Sequence, residues 1–344
     1  MNILLIQLKR IGDLVLTTPA IAAVRETFPD AKLTLVISEE GAALLPAITG
    51  IDRAVIMHRN LSDIAAFLSV LRQRFDYCID FTRNDRSAFL ALLSGAKKRV
   101  VSYRVKRRAP IRGRIYNEFV QHRMRDMHTV DYNLSLVEPL GVTDVSPALR
   151  LNLAPAVQEK GDALRQHTRI DRPFVLFHPG SARREKFWEP ERWAEVITYA
   201  TTQWKVHAVL TGGSSILEKA HLAQIQAKLP RPVENSPAGS AIDLSGKLDL
   251  LTLAAMIAQA RLVVTVDSAP MHLAAAAGTP QVVLFGPTNP FHWRPRESPA
   301  LILQGESPLP LREFAAKQTR LPMKLISTPA VIDAMNSLLS TPTL

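Results

Sequence analysis

The amino-acid sequence predicts an α/β protein of two Rossmann-like domains, each built on a parallel sheet. Three observations carry that reading. The 344 residues exceed the roughly 250–300 that a single hydrophobic core serves. Short apolar runs alternate with helical patterns of about 10–15 residues, the signature of right-handed βαβ units. The two halves also open alike: an apolar strand, a polar loop, a helix with proline in its first turn, and a second strand.

In the first half the strand is residues 2–7, and the loop is 8–13, containing Gly12. The helix is 18–27, with Pro19 in its first turn, and the next strand is 32–37. In the second half, residues 174–178 form the strand and 179–189 the loop. Helix 190–203 and strand 206–210 follow, and Gly212-Gly213 opens another helix at about 215–229. The boundary falls between Pro147 and Pro173, with the domains expected at 1–160 and 161–325. Residues 326–344 contain one amphipathic helix, about 328–339, expected to pack back on the N-terminal domain. Open α/β sheets bind ligands beyond the carboxyl ends of their strands, so two such domains place a cleft between their strand-end loops.

The stretch 266–290, VDSAPMHLAAAAGTPQVVLFGPTNP, is the most informative. An apolar strand ends abruptly at Asp267 and Ser268, one of which stands where an N-cap belongs. Pro270 lies in the first turn, where its missing N–H costs nothing. The alanines that follow let the helix pack close to a sheet. A loop ending at a helix N-terminus offers N–H groups and a positive dipole end to an anion such as a pyrophosphate. Asp267 and His272 flank that point. The plainer reading is an ordinary crossover that binds nothing, with His272 in the core.

Two further loops carry polar residues. In the first, Asp13 serves either as a first-turn or N-cap carboxylate or as a general base toward a substrate hydroxyl. Gly12 allows close backbone approach. In the second, 178–188 (HPGSARREKFW), Ser181 and Lys186 could hold a diphosphate leaving group as its charge grows. The alternative is a solvated basic loop with Trp188 packed behind it. Gly212 and Gly213 serve at least the turn geometry. No GxGxxG, Walker A, HExxH or GxSxG pattern occurs.

Composition narrows the classes. Cys78 is the only cysteine, which excludes an internal disulfide and a thiolate zinc site. It reads as a buried packing residue. Residues 3–6 are followed at once by Lys9, Arg10 and Asp13, which is no secretory signal, and no run of about 18 apolar residues occurs. A cytoplasmic protein is expected, with any membrane contact peripheral. Of the net charge of +11, residues 97–125 supply nearly all: eleven Lys or Arg, among them Lys97, Lys98, Arg99, Arg104, Arg107 and Arg108, against Glu118 alone. Such a segment is either a solvated face or a surface for anions. Nucleic acid is not expected, because no recognition motif or stacking aromatics accompany it.

Several of these segments resemble the ADP-heptose:lipopolysaccharide heptosyltransferases, glycosyltransferase family 9. The resembling parts are IGDLVLTTPAIAAVR (11–25), HTVDYNLSLVEPLGV (128–142), HPGSARREKFW (178–188), TGG (211–213), VDSAPMHLAAAAGTP (266–280) and FGPTNPFHWRP (285–295). NLSLVEPLGV and FHWRP look most like the heptosyltransferase III branch. The resemblance implies GT-B architecture, with an acceptor-binding N-terminal domain and a nucleotide-sugar-binding C-terminal domain. It implies heptose transfer from ADP-L-glycero-D-manno-heptose to the lipopolysaccharide inner core, with inversion and no covalent intermediate. Asp13 matches the family's proposed general base, Lys186 the lysine on the donor diphosphate, and Ser181 a hydroxyl beside it. Asp267 and His272 match donor-binding positions, with the backbone of Ser268, Ala269, Pro270 and Met271 toward the phosphates. Glu218 matches an acidic ribose-binding residue, and Leu248 an adenine-contacting one.

The basic segment would then meet the carboxylates and phosphates of the acceptor, or the anionic inner leaflet of the inner membrane. The donor is a co-substrate; no cofactor and no metal are expected. The alternatives are a transferase using another nucleotide sugar, and a non-enzymatic basic protein binding anionic lipid or RNA on the same fold.

Overall fold

The computed structural model describes residues 1–143, 145–230 and 239–340. The chain divides into two compact units, Met1–Asn152 and the remainder from Leu153.

The first unit holds six parallel strands: β1 (Asn2–Gln7), β2 (Lys32–Ser38), β3 (Arg53–Met57), β4 (Tyr77–Asp80), β5 (Lys98–Ser102) and β6 (Glu118–Val120). Their order is β3-β2-β1-β4-β5-β6. β1 lies in the middle, with Ile3 opposite both Leu33 and Tyr77. Its Ile3, Leu4, Leu5 and Ile6 are fully buried. A parallel sheet covered by helices on both faces needs such unbroken apolar runs.

The second unit repeats the plan with β7 (Phe174–His178), β8 (His207–Leu210), β9 (Ala241–Asp243), β10 (Leu262–Val266), β11 (Gln281–Phe285) and β12 (Ala300–Gln304). Its order is β12-β11-β10-β7-β8-β9. Counted from its own first strand, each sheet has the same doubly wound order. The chain moves outward to one side of the first strand, then returns to its other side. The loops after β1 and β4 therefore diverge, as do those after β7 and β10, and each pair opens a crevice at the carboxyl edge. The two like openings in the sequence and the two Rossmann-like domains agree.

Two expectations on domain limits need correction. The division follows Asn152 rather than residue 160. Helix Pro155–His167 packs on helix Leu250–Gln259, with Lys160 Nζ 3.1 Å from Asp249 and Gln259 donating to Asp162. The C-terminal helix, Thr328–Leu339, belongs to the second unit, not the first. It lies beside helix Pro190–Gln203 and buries Val331, Ala334, Met335 and Leu339 in the core that contains Trp188 and Trp193. Trp204 Nε1 donates to Asn336 at 2.8 Å and Arg261 to the Leu339 carbonyl at 2.6 Å. The helix fills the face of β10–β12 that would otherwise be bare.

Met335 is fully buried there. Met335→Ala should cost about 2–5 kcal/mol. Hydrogen exchange should show the lost protection in strands β7–β12 and not in β1–β6. Loss spread equally over both sheets would contradict this placement.

Candidate active site

The second sheet's crevice is built by an ion pair. β7 ends at His178, and its loop leads to Lys186; β10 ends at Val266, immediately before Asp267. Lys186 Nζ lies 2.6 Å from Asp267 Oδ2 and donates also to the Asp267 carbonyl at 2.8 Å. The Thr288 hydroxyl, from the loop after β11, donates to the same Oδ2 at 2.6 Å. One carboxylate thus joins three strand-end loops. The two charged side chains are only 11% and 9% exposed.

Asp267 is consequently not a cap. Ser268 is the N-cap of helix Ala269–Ala277, in extended conformation, and its side chain makes no capping bond. Pro270 has no N–H to offer. The first turn of this helix is capped by neither side chain, and Lys186 stands at its Asp267 end. Two sources of positive potential meet at one point, the helix dipole and an ammonium. Met271 and His272 are buried in the same turn. Ser181 is also buried, its hydroxyl accepting from Arg183 N at 3.4 Å.

Two histidines of this region are neutral at pH 7. Burial pushes His178 down to about 4, with Nδ1 2.9 Å from Thr211 Oγ1. Burial likewise pushes His272 down to about 4; Asp267 opposes that shift and Lys186 adds to it. His272 Nδ1 is buried and has no hydrogen-bond partner among the described residues.

Gly212 and Gly213 follow β8. Glu218 lies over this turn as the third residue of helix Ile216–Gln226. Its Oε2 accepts from Ser215 Oγ at 2.9 Å, and Ser215, the N-cap, accepts from Glu218 N through the same oxygen. A Cβ on Gly180 would come 2.4 Å from Glu218 Oε1, and one on Gly213 2.4 Å from Oε2. Only glycine at both positions lets the carboxylate lie across the loops after β7 and β8. Leu248, half-buried, follows β9 on a loop tied to the Gly212 carbonyl by Gly246 N at 2.9 Å. The predicted donor residues of the second domain thus come together at one sheet edge.

In the first unit, Asp13 lies in the first turn of helix Ile11–Val15, directly after Gly12. Its carboxylate is 17% exposed, and its ion-pair partner is Lys9, at 3.6 Å. Burial lowers the Lys9 ammonium below the ordinary lysine range; Asp13 and Asp80 oppose this and Arg83 adds to it. The Asp13 turn is fixed from behind. The Thr17 hydroxyl donates to the Asp13 carbonyl at 2.8 Å and accepts from Gln7 Nε2 at 2.8 Å. Asn133 donates to the Leu16 carbonyl at 2.9 Å. Asn133 opens NLSLVEPLGV, so part of that motif supports this turn.

Asp80, at the end of β4, was not singled out from the sequence. It is fully buried and accepts from Thr82 N (2.8 Å), Arg83 N (2.9 Å), Ser87 Oγ (2.7 Å) and Tyr116 OH (2.5 Å). Burial and this carboxylate push the Tyr116 phenol far up, so it stays a donor. Arg83, next along, has φ +69° and lays its guanidinium over Tyr132 at 4.9 Å. A non-glycine residue there is strained and held by its surroundings. The signal for Asp80 was present: it ends an apolar run just as Asp267 does. Thr288 lies in FGPTNP, but nothing in its spacing points to Asp267.

The basic segment divides. Lys97, Lys98 and Arg99 stand at the start of β5, the opposite edge from Asp13. Lys97 pairs with Asp76 at 3.0 Å, and Arg99 donates to the Ala96 and Ile115 carbonyls. Arg104, Lys106, Arg107 and Arg108 follow the carboxyl end of β5, exposed on helix Tyr103–Arg108. Among the described residues no cluster of three His, Cys, Asp or Glu could hold a metal ion.

Two doubly wound domains, the second with a cation and a helix start at its crevice, define a glycosyltransferase of the GT-B plan. Glycosyltransferase family 9 (heptosyltransferase) matches residues 64–318, and the chain belongs to this family. Lipopolysaccharide heptosyltransferase 3 of Escherichia coli is 27% identical over 292 residues, 83% of each chain, in agreement with the branch motifs. A family 9 glycosyltransferase of Veillonella parvula has the same fold (TM-score 0.83, 24% identity, 98% of this chain and 97% of that one). So has the E. coli heptosyltransferase WaaC with ADP-2-deoxy-2-fluoro heptose (TM-score 0.71, 18% identity, 98% and 99%).

The two site histidines make stability depend on pH. Their folded pKa values lie below the unfolded value of about 6.5, so the unfolded chain binds more protons between there and about 4. Stability should be level above pH 6.5 and fall on acidification, by about 1.4 kcal/mol per pH unit for each histidine. Urea unfolding at pH 7.5 and 5.0 measures this. His272→Gln, which cannot take the proton, should lose less than the parent; equal losses would contradict the assignment.

Proposed function

We propose that this protein transfers heptose from ADP-L-glycero-D-manno-heptose to the inner core of lipopolysaccharide, with inversion at the anomeric carbon. The observation that carries the reading is the Lys186–Asp267 pair at an uncapped helix start. Such a place suits a diphosphate. The family supports the sugar class, and the fold shared with WaaC, solved with ADP-2-deoxy-2-fluoro heptose, supports the reading of the donor.

The acceptor hydroxyl attacks the anomeric carbon as the bond from that carbon to the diphosphate oxygen breaks. Asp13 takes the hydroxyl proton, and ADP leaves with the bonding electrons. Lys186 and the first-turn N–H groups of helix Ala269–Ala277 meet the charge that develops on the diphosphate. Asp267 orients Lys186. Neutral His272 offers Nδ1 to the donor, and Ser181 its hydroxyl. Glu218 and Leu248, at the neighbouring loops, receive the ribose and adenine. Gly12 lets the acceptor approach beside Asp13. The contrast of two carboxylates in the first unit favours Asp13 as base: four donors occupy Asp80, whereas Asp13 has one loose ion partner. The cations at Arg104, Arg107 and Arg108 suit an acceptor bearing phosphates on an anionic membrane, with the protein peripheral to the inner leaflet.

Incubation with heptose-deficient core and ADP-heptose, ADP-glucose or UDP-sugars tests this. Only ADP-heptose should be used, and the new linkage should show inverted configuration by NMR. Asp13→Asn should lose roughly 10²–10⁴-fold in turnover with donor binding intact. Lys186→Ala should lose about 10²–10³-fold. Near-parental transfer by Asp13→Asn would remove the base assignment, and preference for another sugar nucleotide would replace the donor.

Lys186 and the helix start supply the positive charge that a metal gives in other sites, so turnover should survive EDTA. Abolition by EDTA with rescue by Mg²⁺ would overturn this.

A further inference from the structure

One face of the first sheet is covered by helices whose outward sides are apolar. Helix Asp63–Leu71 buries Ala66 and Val70 against that sheet. Ile64, Leu68 and Leu71 lie roughly 140–200° round the helix from Ala66. With Leu61 just before them they are 41–85% exposed, at spacings of three and four. The neighbouring helix Asp85–Leu93 buries Ala88, Leu90 and Ala91 and exposes Phe89 and Leu92 by about half. An outward face of a surface helix is ordinarily polar. A contiguous exposed apolar patch marks an interaction site.

These elements form one surface. Phe67 and Phe89 meet edge to face at 5.0 Å, and Arg86 pairs with Asp63 between the two helices. Arg112 pairs with Asp85 at 2.5 Å, which fixes the turn Pro110–Gly113 beside them. Ile111, on that turn, is 83% exposed. Helix Tyr103–Arg108 adjoins the turn and packs Val105 inward, with Arg104, Arg107 and Arg108 outward. Among the described residues these three arginines have no ion-pair partner.

We propose that this surface inserts into an anionic lipid bilayer. Its leucines, isoleucines and Phe89 enter the acyl boundary, and Arg107 and Arg108 meet the headgroup phosphates. Apolar side chains beside unpaired cations fit such a surface, which offers both chemistries at one depth. A second copy of the chain fits worse, because it would bring like charge against these arginines. The proposal deepens the membrane association offered above. It places the contact on helices 63–71 and 85–93, not on the basic segment alone.

Flotation of the full chain with vesicles tests it, using phosphatidylcholine alone or with phosphatidylglycerol, at low and high salt. The parent should float with the anionic vesicles and keep part of its binding at high salt, since buried apolar contact is not screened. Ile64→Ser/Leu68→Ser should bind at least tenfold less and lose all binding at high salt. Transfer to a delipidated core oligosaccharide should be unchanged in this variant. Parental flotation by the double variant would overturn the proposal. So would a parent that does not float but sediments as a dimer which the variant dissociates. Either result, with transfer intact, removes the docking surface and leaves the catalytic reading standing; loss of transfer in the parent removes the latter instead.

Discussion

The buried pair Lys186–Asp267 holds the C-terminal site in shape. Two charges taken largely out of water gain little net stability, because desolvation offsets their attraction. The pair persists because both partners have further hydrogen bonds: Lys186 to the Asp267 carbonyl, Asp267 to the Thr288 hydroxyl. Without Lys186, Asp267 would be a buried carboxylate with one hydroxyl donor. Without Asp267, the ammonium would swing free of the helix start. The pair fixes one cation beside the uncapped turn and ties together the loops after β7 and β10, which the strand order drives apart. That order makes the position special: β7 and β10 are sheet neighbours, but their loops diverge.

The first unit meets the same geometric problem with a different answer. Its crevice loops are tied by neutral bonds, Thr82 Oγ1 accepting from Leu8 N at 2.7 Å, and by the saturated carboxylate of Asp80. A carboxylate with four donors is held stationary with its oxygens occupied, so it is poorly placed to reach a substrate hydroxyl. Asp13 is different: its turn is fixed through Thr17, while its own oxygens keep a single partner at 3.6 Å. Rigid backbone with a lightly engaged side chain suits a base that must take up a proton and return it.

The two Rossmann-like domains and the strand-end loops were legible because each rests on local pattern. Apolar runs that end abruptly in Asp or Ser mark strand ends, and proline marks helix starts. What escaped depends on contacts distant in sequence. Asp267 looks like a cap until Lys186, 81 residues away, claims it. Thr288 gains meaning only from the same carboxylate. Glu218 reads as a ligand residue, yet its carboxylate accepts from Ser215 and lies over two glycines. The C-terminal helix was visible as a helix, but its partner was not: an apolar stripe states that a face is buried, not which sheet buries it.

The apolar surface of the first unit follows from the same limit. DIAAFLSVL, residues 63–71, is apolar almost all round, so periodicity assigns it no inner face. In isolation it reads as a fully buried helix. The sheet beneath has room for one side only, and Ala66 and Val70 occupy it. Ile64, Leu68 and Leu71 are then left outside, although nothing in the fold of this unit requires them to be apolar. Polar residues there would leave the core intact and remove an exposed patch that favours aggregation. The cations of helix Tyr103–Arg108, in the connection after β5, stand at the same surface. A face whose composition the fold does not require, and which carries both apolar and cationic groups, is accounted for by what lies outside the molecule.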